Sequence, residues 1–346
     1  MPDLYPLARK ILFQMDAEKA HHLTLKGMNL AHKTGLLGFL TGASSESQNH
    51  PVEVMGLSFP NRVGLAAGLD KGGTAVDAFG QLGFAHIEVG TVTPRPQPGN
   101  EAPRLFRLIE HEAIINRMGF NNPGTTGLLE NLEHSTRSSR PFQGILGINI
   151  GKNFDTPNEN AIDDYVKAFE AVYNKADYVT ANLSSPNTAG LRDLQSGEIC
   201  SKLIEALQQK RSEMMAGEAG KQVPIVIKIA PDLDEAAIES LAKVFNESGV
   251  DGVITTNTTI SRDSVESHPL GNEKGGLSGA PLTTLSTGVL ETLRSSLNRE
   301  IPIIGSGGVM TVQDAEEKLN AGASLVQVYT GLIYHGPALI RGIAKL

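Results

Sequence analysis

The segment Asn182-Leu-Ser-Ser-Pro-Asn187 concentrates two amides and two hydroxyls within six residues. It follows the apolar, β-branched run 178–181, so the pattern predicts that it ends a strand. Pro186 fixes its own φ and disfavours the helical region for Ser185, which stiffens the turn and directs its side chains. Because Asn, Ser and Pro are also ordinary turn residues, an active-site interpretation depends on the other strand ends.

Those strand ends carry comparable residues. Polar or glycine-rich stretches follow predicted strands at 66–73, 90–93, 149–152, 255–259, 305–308 and 329–331. Glycine after the last two strands would let backbone N–H groups approach an anion, as in barrel phosphate sites, although such glycines can also form simple turns. The additional segment 275–279 favours a phosphate-bearing cofactor.

Lys228 lies inside the apolar run 224–229, where an unpaired ammonium would be costly. Three interpretations are open: a Schiff base with a carbonyl substrate, as in an aldolase, a donor to an electron-rich ring, or a structural ion pair. The neutral donors and acceptors of Asn149, Asn182 and Thr256 favour the ring. Lys71 would supply a cation for a substrate carboxylate.

Eight strand-like segments alternate with helical segments, which predicts an α/β fold of the (β/α)8 TIM-barrel type. The gap 93–144 is longer than one helix and predicts an inserted excursion over the barrel mouth. The predicted strands are 63–68, 86–92, 145–150, 178–183, 224–230, 252–257, 302–305 and 325–330, and the predicted later helices are 161–174, 196–214, 234–247, 283–297 and 311–320.

The first 40 residues differ from the rest. Apolar spacing predicts one helix over 4–13 and a second from the capping residue Asp16 to about Lys33. We predict three parts: a helical hairpin over 1–40, a linker over 41–51, and a barrel domain over 52–346 that opens with a strand pair at 52–54 and 57–59.

Composition excludes several classes. A net charge of −8 gives no general attraction to nucleic acid, and we expect no nucleic-acid partner. The single Cys200, in a helix-like segment, excludes a disulfide framework, a cysteine-rich zinc site and an iron–sulfur cluster ligated by this chain, and we expect no metal. No run approaches the roughly 18 apolar residues of a membrane span, and no secretory signal is recognisable. Residues 1–40 nevertheless carry a formal net charge of +2, whereas the rest of the chain carries −10.

The assembled motifs resemble the dihydroorotate dehydrogenase family, class 2, whose members are quinone-dependent and membrane-associated. The resemblance spans essentially the whole chain and rests on five segments in family order: 64–71, 90–99, 116–122, 182–187 and 276–279. It implies a TIM barrel with one FMN that oxidises dihydroorotate to orotate in pyrimidine biosynthesis. Hydride would pass to FMN, and a membrane quinone would reoxidise it.

By this resemblance, Ser185 is the catalytic base that removes the C5 proton, where class 1 relatives have a cysteine. The relay for its proton stays open among Thr180, Ser184 and a bound water. The implied substrate residues are Lys71, Asn116, Arg117, Met118, Gly119, Phe120, Asn182, Asn187, Asn257 and Thr258. The implied cofactor residues are Ala67, Gly68, Leu69, Asp70, Lys71, Thr91, Asn149, Asn182, Lys228, Thr256, Gly279, Gly308, Tyr329 and Thr330.

The resemblance also gives the hairpin a role, as the mouth of an apolar tunnel for ubiquinone or menaquinone. It implies a monomeric peripheral protein on the cytoplasmic face of a bacterial inner membrane. Periodicity alone equally allows a helical pair packed on the barrel, and His22 is either structural or part of the quinone site. The expected headgroup contacts are Arg9, Lys10, Lys19 and Lys26, and the expected acyl-chain contacts are Leu7, Ile11, Leu12 and Phe13.

Two positions depart from the family pattern: Ala189, where proline is common, should loosen its loop, and Thr330, where serine is common, keeps the hydroxyl. Three alternatives remain. A class 1 enzyme would reduce fumarate instead of quinone, an aldolase would use Lys228 without flavin, and a membrane-surface scaffold would bind lipid through residues 1–40.

Overall fold

The computed structural model describes residues 4–41, 50–136, 141–188, 190–217 and 220–346. Ala189 and most of the predicted linker lie outside the described residues. The strands are β1 (Val52–Val54), β2 (Leu57–Phe59), β3 (Val63–Leu65), β4 (His86–Val92), β5 (Leu105–Leu108), β6 (Ala113–Asn116), β7 (Ile145–Ile150), β8 (Tyr178–Asn182), β9 (Ile225–Ile229), β10 (Gly252–Thr255), β11 (Gly276–Gly279), β12 (Ile303–Ser306) and β13 (Leu325–Val328). The helices are α1 (Tyr5–Leu12), α2 (Ala17–Lys33), α3 (Leu37–Thr41), α4 (Val76–Gly80), α5 (Gly124–Thr136), α6 (Ala161–Val172), α7 (Gly197–Ala216), α8 (Glu235–Ser248), α9 (Thr283–Ser296), α10 (Val312–Asn320), α11 (Thr330–His335) and α12 (Pro337–Ile343).

Eight parallel strands close into a barrel in the order β3-β4-β7-β8-β9-β10-β12-β13, which confirms the predicted TIM barrel. Most barrel strands are buried along their whole length, because one face meets the barrel interior and the other meets the surrounding helices. The β1–β2 hairpin closes the amino-terminal end, where Phe59 packs edge-on against His86. The carboxyl ends of the strands form the opposite, open end.

The excursion over the barrel mouth is a three-stranded antiparallel sheet of order β11-β6-β5, followed by α5. The glycine-rich segment 275–279, interpreted from sequence as a phosphate loop, is in fact mostly its edge strand β11. Gly276 must be glycine there, because a Cβ would lie 1.9 Å from Thr258 Oγ1. The predicted excursion is confirmed, but its third strand was not foreseen, since it lies some 160 residues further along the chain.

The two N-terminal helices pack against this sheet and against α11. Asp16 caps α2 as predicted, accepting a hydrogen bond from Lys19 N at 2.9 Å. Arg104 of the excursion makes an ion pair with Glu18 at 2.7 Å. Arg9 donates to Tyr334 O, and the ring of Phe13 stands edge-on to Tyr334 at 5.3 Å. Arg9 and Phe13 therefore face the barrel, and their expected roles as outward membrane contacts were wrong.

Candidate active site

A polar cavity of about 120 Å³ opens at the carboxyl ends of the barrel strands, under the excursion. Most of the predicted site residues come together in its wall. These are Ser185, Lys71, Asn116, Met118, Gly119, Phe120, Asn182, Asn187, Asn257 and Thr258 among the predicted substrate residues, and Ala67, Gly68, Thr91, Lys228, Thr256, Gly279, Gly308, Tyr329 and Thr330 among the predicted cofactor residues.

Four predicted residues do not line this cavity. The Arg117 side chain turns outward, pairs with Glu273 at 2.6 Å and lies over the Phe106 ring. The Asp70 carboxylate accepts hydrogen bonds from the amides of Thr74 and Ala75 and so holds the turn after β3. Leu69 lines a second, apolar cavity, and Asn149 lies one layer below the polar cavity.

A chain of side-chain hydrogen bonds joins Asn149 to the cavity. The buried Glu88 carboxylate accepts from Asn149 Nδ2 at 2.8 Å, and Asn149 Oδ1 accepts from Thr91 Oγ1 at 2.5 Å. Thr91 Oγ1 in turn accepts from Asn182 Nδ2 at 3.0 Å. Because Asn149 donates its Nδ2 to Glu88, its Oδ1 faces Thr91, and the Thr91 hydroxyl is left to accept from Asn182. Glu88 was missed from the sequence, although an acidic residue inside the apolar strand 86–92 was a usable signal.

Ser185 is buried at the cavity wall, and its Oγ accepts a hydrogen bond from Asn187 N at 3.2 Å. Of the proposed relay hydroxyls, Thr180 donates to Glu88 at 3.2 Å and Ser184 donates to Asn182 Oδ1 at 3.1 Å. Within the described residues neither hydroxyl bonds to Ser185, so Thr180 and Ser184 are engaged elsewhere.

Two lysines bring positive charge to the cavity. Burial lowers the pKa of Lys71 to about 8, and the Lys71 ammonium donates to Gly68 O at 2.8 Å. Burial also lowers the pKa of Lys228, an effect that the Glu88 carboxylate opposes. Among the described residues the Lys228 ammonium has no hydrogen-bond or ion-pair partner. A ligand with an electron-rich edge would satisfy it at low cost.

The loop after β12 presents a free backbone donor. Gly307 and Gly308 have φ values of 94° and 70°, and their carbonyls accept from Ser286 Oγ and Thr283 Oγ1 of α9. The amide N–H group of Gly308 has no acceptor among the described residues. A side chain at Gly308 would lie 2.3 Å from Thr283 Cα, so only glycine fits. Such a glycine amide suits a phosphate group.

An apolar cavity of about 480 Å³ lies between the N-terminal helices and the barrel. Tyr329 lines both cavities and forms a shared wall. His21 lines the apolar cavity, and burial lowers its pKa to about 3, so the ring is neutral. His22, the histidine singled out from sequence, instead faces Glu18 at 3.9 Å. Helical residues that line this cavity include Ala8, Leu12, Ala20, Leu25, Met28 and Ala31.

A TIM barrel whose strand ends carry a buried hydroxyl, a lysine without a partner among the described residues and a free glycine amide is typical of a barrel enzyme with its active site at the strand ends. The sequence model for dihydroorotate dehydrogenase matches residues 50–345. A "Dihydroorotate dehydrogenase (quinone)" of Chromobacterium violaceum is 55% identical over 99% of this chain and 97% of its own length. One from Neisseria meningitidis serogroup C is 54% identical over 99% of both chains. The chain belongs to the dihydroorotate dehydrogenase family.

Solved structures agree with this assignment. The DHODH of Eimeria tenella in complex with ferulenol is 39% identical and superposes with a TM-score of 0.85, covering 95% of this chain and 89% of that one. The ligand-free form of the same enzyme has a TM-score of 0.84 at 40% identity, covering 93% and 92%. More than nine tenths of the chain therefore has a counterpart of known structure.

Proposed function

We propose that this chain oxidises (S)-dihydroorotate to orotate in pyrimidine biosynthesis, with FMN as cofactor and a membrane quinone as electron acceptor. One observation carries the proposal: a polar cavity and an apolar cavity meet at Tyr329. A charged ring substrate and an apolar acceptor would thus occupy separate chambers with a common wall. The name of the curated relatives, "Dihydroorotate dehydrogenase (quinone)", supports separate sites for the substrate and the quinone.

The amides of the polar cavity suit a small ring with alternating carbonyl and N–H groups. Asn187 Nδ2 donates to Asn116 Oδ1 at 3.2 Å, and Asn257 Nδ2 donates to Asn182 Oδ1 at 3.3 Å. These mutual bonds hold the amides in place before a substrate arrives. Lys71 would bind the substrate carboxylate, and the backbone of 118–120 would cover the ring.

Ser185 would remove the C5 proton of the substrate. A hydroxyl is a weak base at neutral pH, so its position and the exclusion of water must contribute much of the catalysis. Its burial and the bond from Asn187 N, which leaves the hydroxyl proton free to donate elsewhere, support this role. A cysteine in the same role would identify a class 1 enzyme, and the one cysteine of the chain, Cys200, is buried in α7 with its pKa raised to about 12.

The polar cavity fits FMN on two counts. The free amide of Gly308 would hold the phosphate, and Lys228 would face the electron-rich edge of the ring. FMN, when bound, would accept the hydride and pass two electrons to the quinone. The other residues proposed to hold it are Ala67, Gly68, Lys71, Thr91, Asn182, Thr256, Gly279, Tyr329 and Thr330, with Asn149 supporting from below.

The apolar cavity would receive the quinone from a bilayer surface. Leu7, Ile11, Leu23, Leu30 and Phe39 are exposed apolar side chains on the N-terminal helices. Among the described residues no helix has the length and hydropathy needed to cross a bilayer. The exposed apolar side chains support peripheral attachment through residues 1–40. By the family resemblance we propose a monomer on the cytoplasmic face of a bacterial inner membrane, with ubiquinone or menaquinone as acceptor.

The test is a visible spectrum of the purified protein under anaerobic conditions. We expect dihydroorotate to bleach a flavin band, and ubiquinone, but not fumarate, to restore it. Restoration by fumarate alone would identify a class 1 enzyme. A colourless protein that does not bind added FMN would contradict the proposal, and a borohydride-trapped adduct on Lys228 would then indicate an aldolase.

A further inference from the structure

One guanidinium joins the loops that follow three neighbouring barrel strands. Arg192 Nε donates to Ser184 O at 3.2 Å, Nη1 to Asp232 Oδ2 at 2.8 Å, and Nη2 to Thr258 O at 3.0 Å. Ser184 follows β8, Asp232 follows β9 and Thr258 follows β10. Arg192 does not line the polar cavity, so it lies outside the ligand site itself.

Asp232 completes the connection. Its Oδ1 accepts from Thr259 Oγ1, and both its oxygens accept from Ile260 N at 3.2 Å. The loop after β10 is therefore held twice, directly by Arg192 and indirectly through Asp232. The three loops form one closed hydrogen-bonded ring, and hydrogen bonds from a charged guanidinium are stronger than neutral ones.

The Ser185 loop needs such support because its own backbone offers little. Pro186 has no N–H group, so the Ser185–Pro186 peptide bond cannot donate a hydrogen bond. Ser184 N is held by a side chain, Asn182 Oδ1, at 3.2 Å. The bond from Arg192 to Ser184 O is thus one of the few links that fix the peptide next to Ser185.

We propose that Arg192 is a positioning residue that holds Ser185 at a fixed distance from Asn257 and Thr258, and so from the bound substrate ring. The inference rests on the proposed function in taking Ser185 as the base. Lysine cannot replace this arginine, because one compact ammonium cannot reach acceptors on three separate loops.

The test compares Arg192→Gln and Arg192→Lys with Arg211→Gln in the FMN-loaded enzyme. Arg211 pairs with Asp251 near the amino-terminal end of β10, and the two pairs are similarly buried, with exposed side-chain fractions of 13% and 21% against 22% and 15% for Arg192 and Asp232. Arg211→Gln therefore controls for the general loss of a half-buried ion pair.

In anaerobic stopped-flow measurements, both Arg192 variants should lower the limiting rate of flavin bleaching by dihydroorotate roughly 100-fold, the scale of a 1 Å misplacement of a reacting group. The rate of reoxidation by quinone should stay within about twofold of wild type, since Arg192 does not line the apolar cavity. Amide hydrogen exchange over 184–188 and 257–260 should increase in both variants and not in Arg211→Gln.

Bleaching at the wild-type rate in Arg192→Gln, or an equal loss in Arg211→Gln, would overturn the inference. Failure of the proposed function is distinguishable, because dihydroorotate would then not bleach the wild-type protein. In that case the exchange measurement still decides whether Arg192 holds the two loops, since it needs no substrate.

Discussion

The two cavities differ in how the chain builds them. The polar cavity, at about 120 Å³, is walled by strand ends whose amides and hydroxyls bond to one another. The apolar cavity, at about 480 Å³, is four times larger and lies between the N-terminal helices and the barrel. A rigid network suits a substrate that must be oriented for proton removal, whereas apolar volume suits an acceptor that needs only close approach.

The cavities also differ in what holds their walls. Strand pairing of the barrel fixes the polar wall. The apolar wall depends on a few polar links from the N-terminal helices, among them Arg104 with Glu18, Arg107 with the carbonyls of Leu12 and Met15, and Arg9 with Tyr334 O. Mutations should therefore affect either the reduction of the flavin by dihydroorotate or its reoxidation by quinone, and not both.

The largest separation should come from Ser185→Ala. Without its base, bleaching of the flavin by dihydroorotate should slow by roughly 10²- to 10⁴-fold, the usual contribution of general base catalysis. Reoxidation by ubiquinone after chemical reduction should keep its rate, because Ser185 is absent from the apolar cavity wall. Stopped-flow absorbance in each direction measures both rates. An equal decrease in the rates of flavin bleaching and flavin reoxidation would contradict the assignment of Ser185 to the polar cavity alone.

The converse variant is Ala20→Phe, which puts an aromatic ring into the apolar cavity from α2. The added ring would occupy space proposed for the quinone, and a loss of about 1.4 to 2.8 kcal/mol of quinone binding energy corresponds to a roughly 10- to 100-fold higher quinone KM. Bleaching by dihydroorotate should be unchanged. Leu30→Phe, on the exposed side of the same helix, is the matched control. An equal rise in KM for both variants would indicate damage to α2 and not occupation of the cavity.

The same contrast explains what could be predicted from the sequence. The barrel strands were predicted because continuous apolar β-branched runs mark buried parallel strands, and the polar residues were found because they follow those runs. The apolar cavity was expected only from the family resemblance and not from a residue pattern, since Ala20, Met28 and Leu69 are ordinary core residues that line a cavity only when distant segments meet. The orientation of Arg117 and the role of Glu88 likewise depend on partners from other strands.

A smaller, pH-dependent effect should appear in the polar cavity alone. The Lys71 ammonium loses its proton as pH rises through about 8, and with it the attraction for a substrate carboxylate. The Kd for orotate, read from the flavin spectrum, should rise by up to about tenfold per pH unit above that value. Lys71→Gln should bind weakly with little dependence on pH, and quinone KM should not follow the same curve. A flat Kd in wild type would exclude Lys71 as the carboxylate ligand.

The smallest effect concerns the closed end of the barrel, where neither cavity reaches. His86 is fully buried, its two ring nitrogens have no hydrogen-bond partner among the described residues, and burial lowers its pKa from 6.5 to about 3. The unfolded chain therefore binds a proton below pH 6.5 that the folded barrel excludes, so stability falls as pH drops from 6.5 toward 3. From pH 7 to pH 6 this histidine should cost about 0.7 kcal/mol of unfolding free energy.

His86→Leu keeps an apolar side chain of similar volume and removes the titrating ring. Urea unfolding at pH 7 and pH 6 should show a smaller decrease for the variant than for wild type, with the other histidines common to both. Stability at pH 7 should change little, because the imidazole nitrogens that are removed were unpaired. The same pH dependence in both proteins would place the acid sensitivity elsewhere, with the buried ring of His21 beside the apolar cavity as the next group to test.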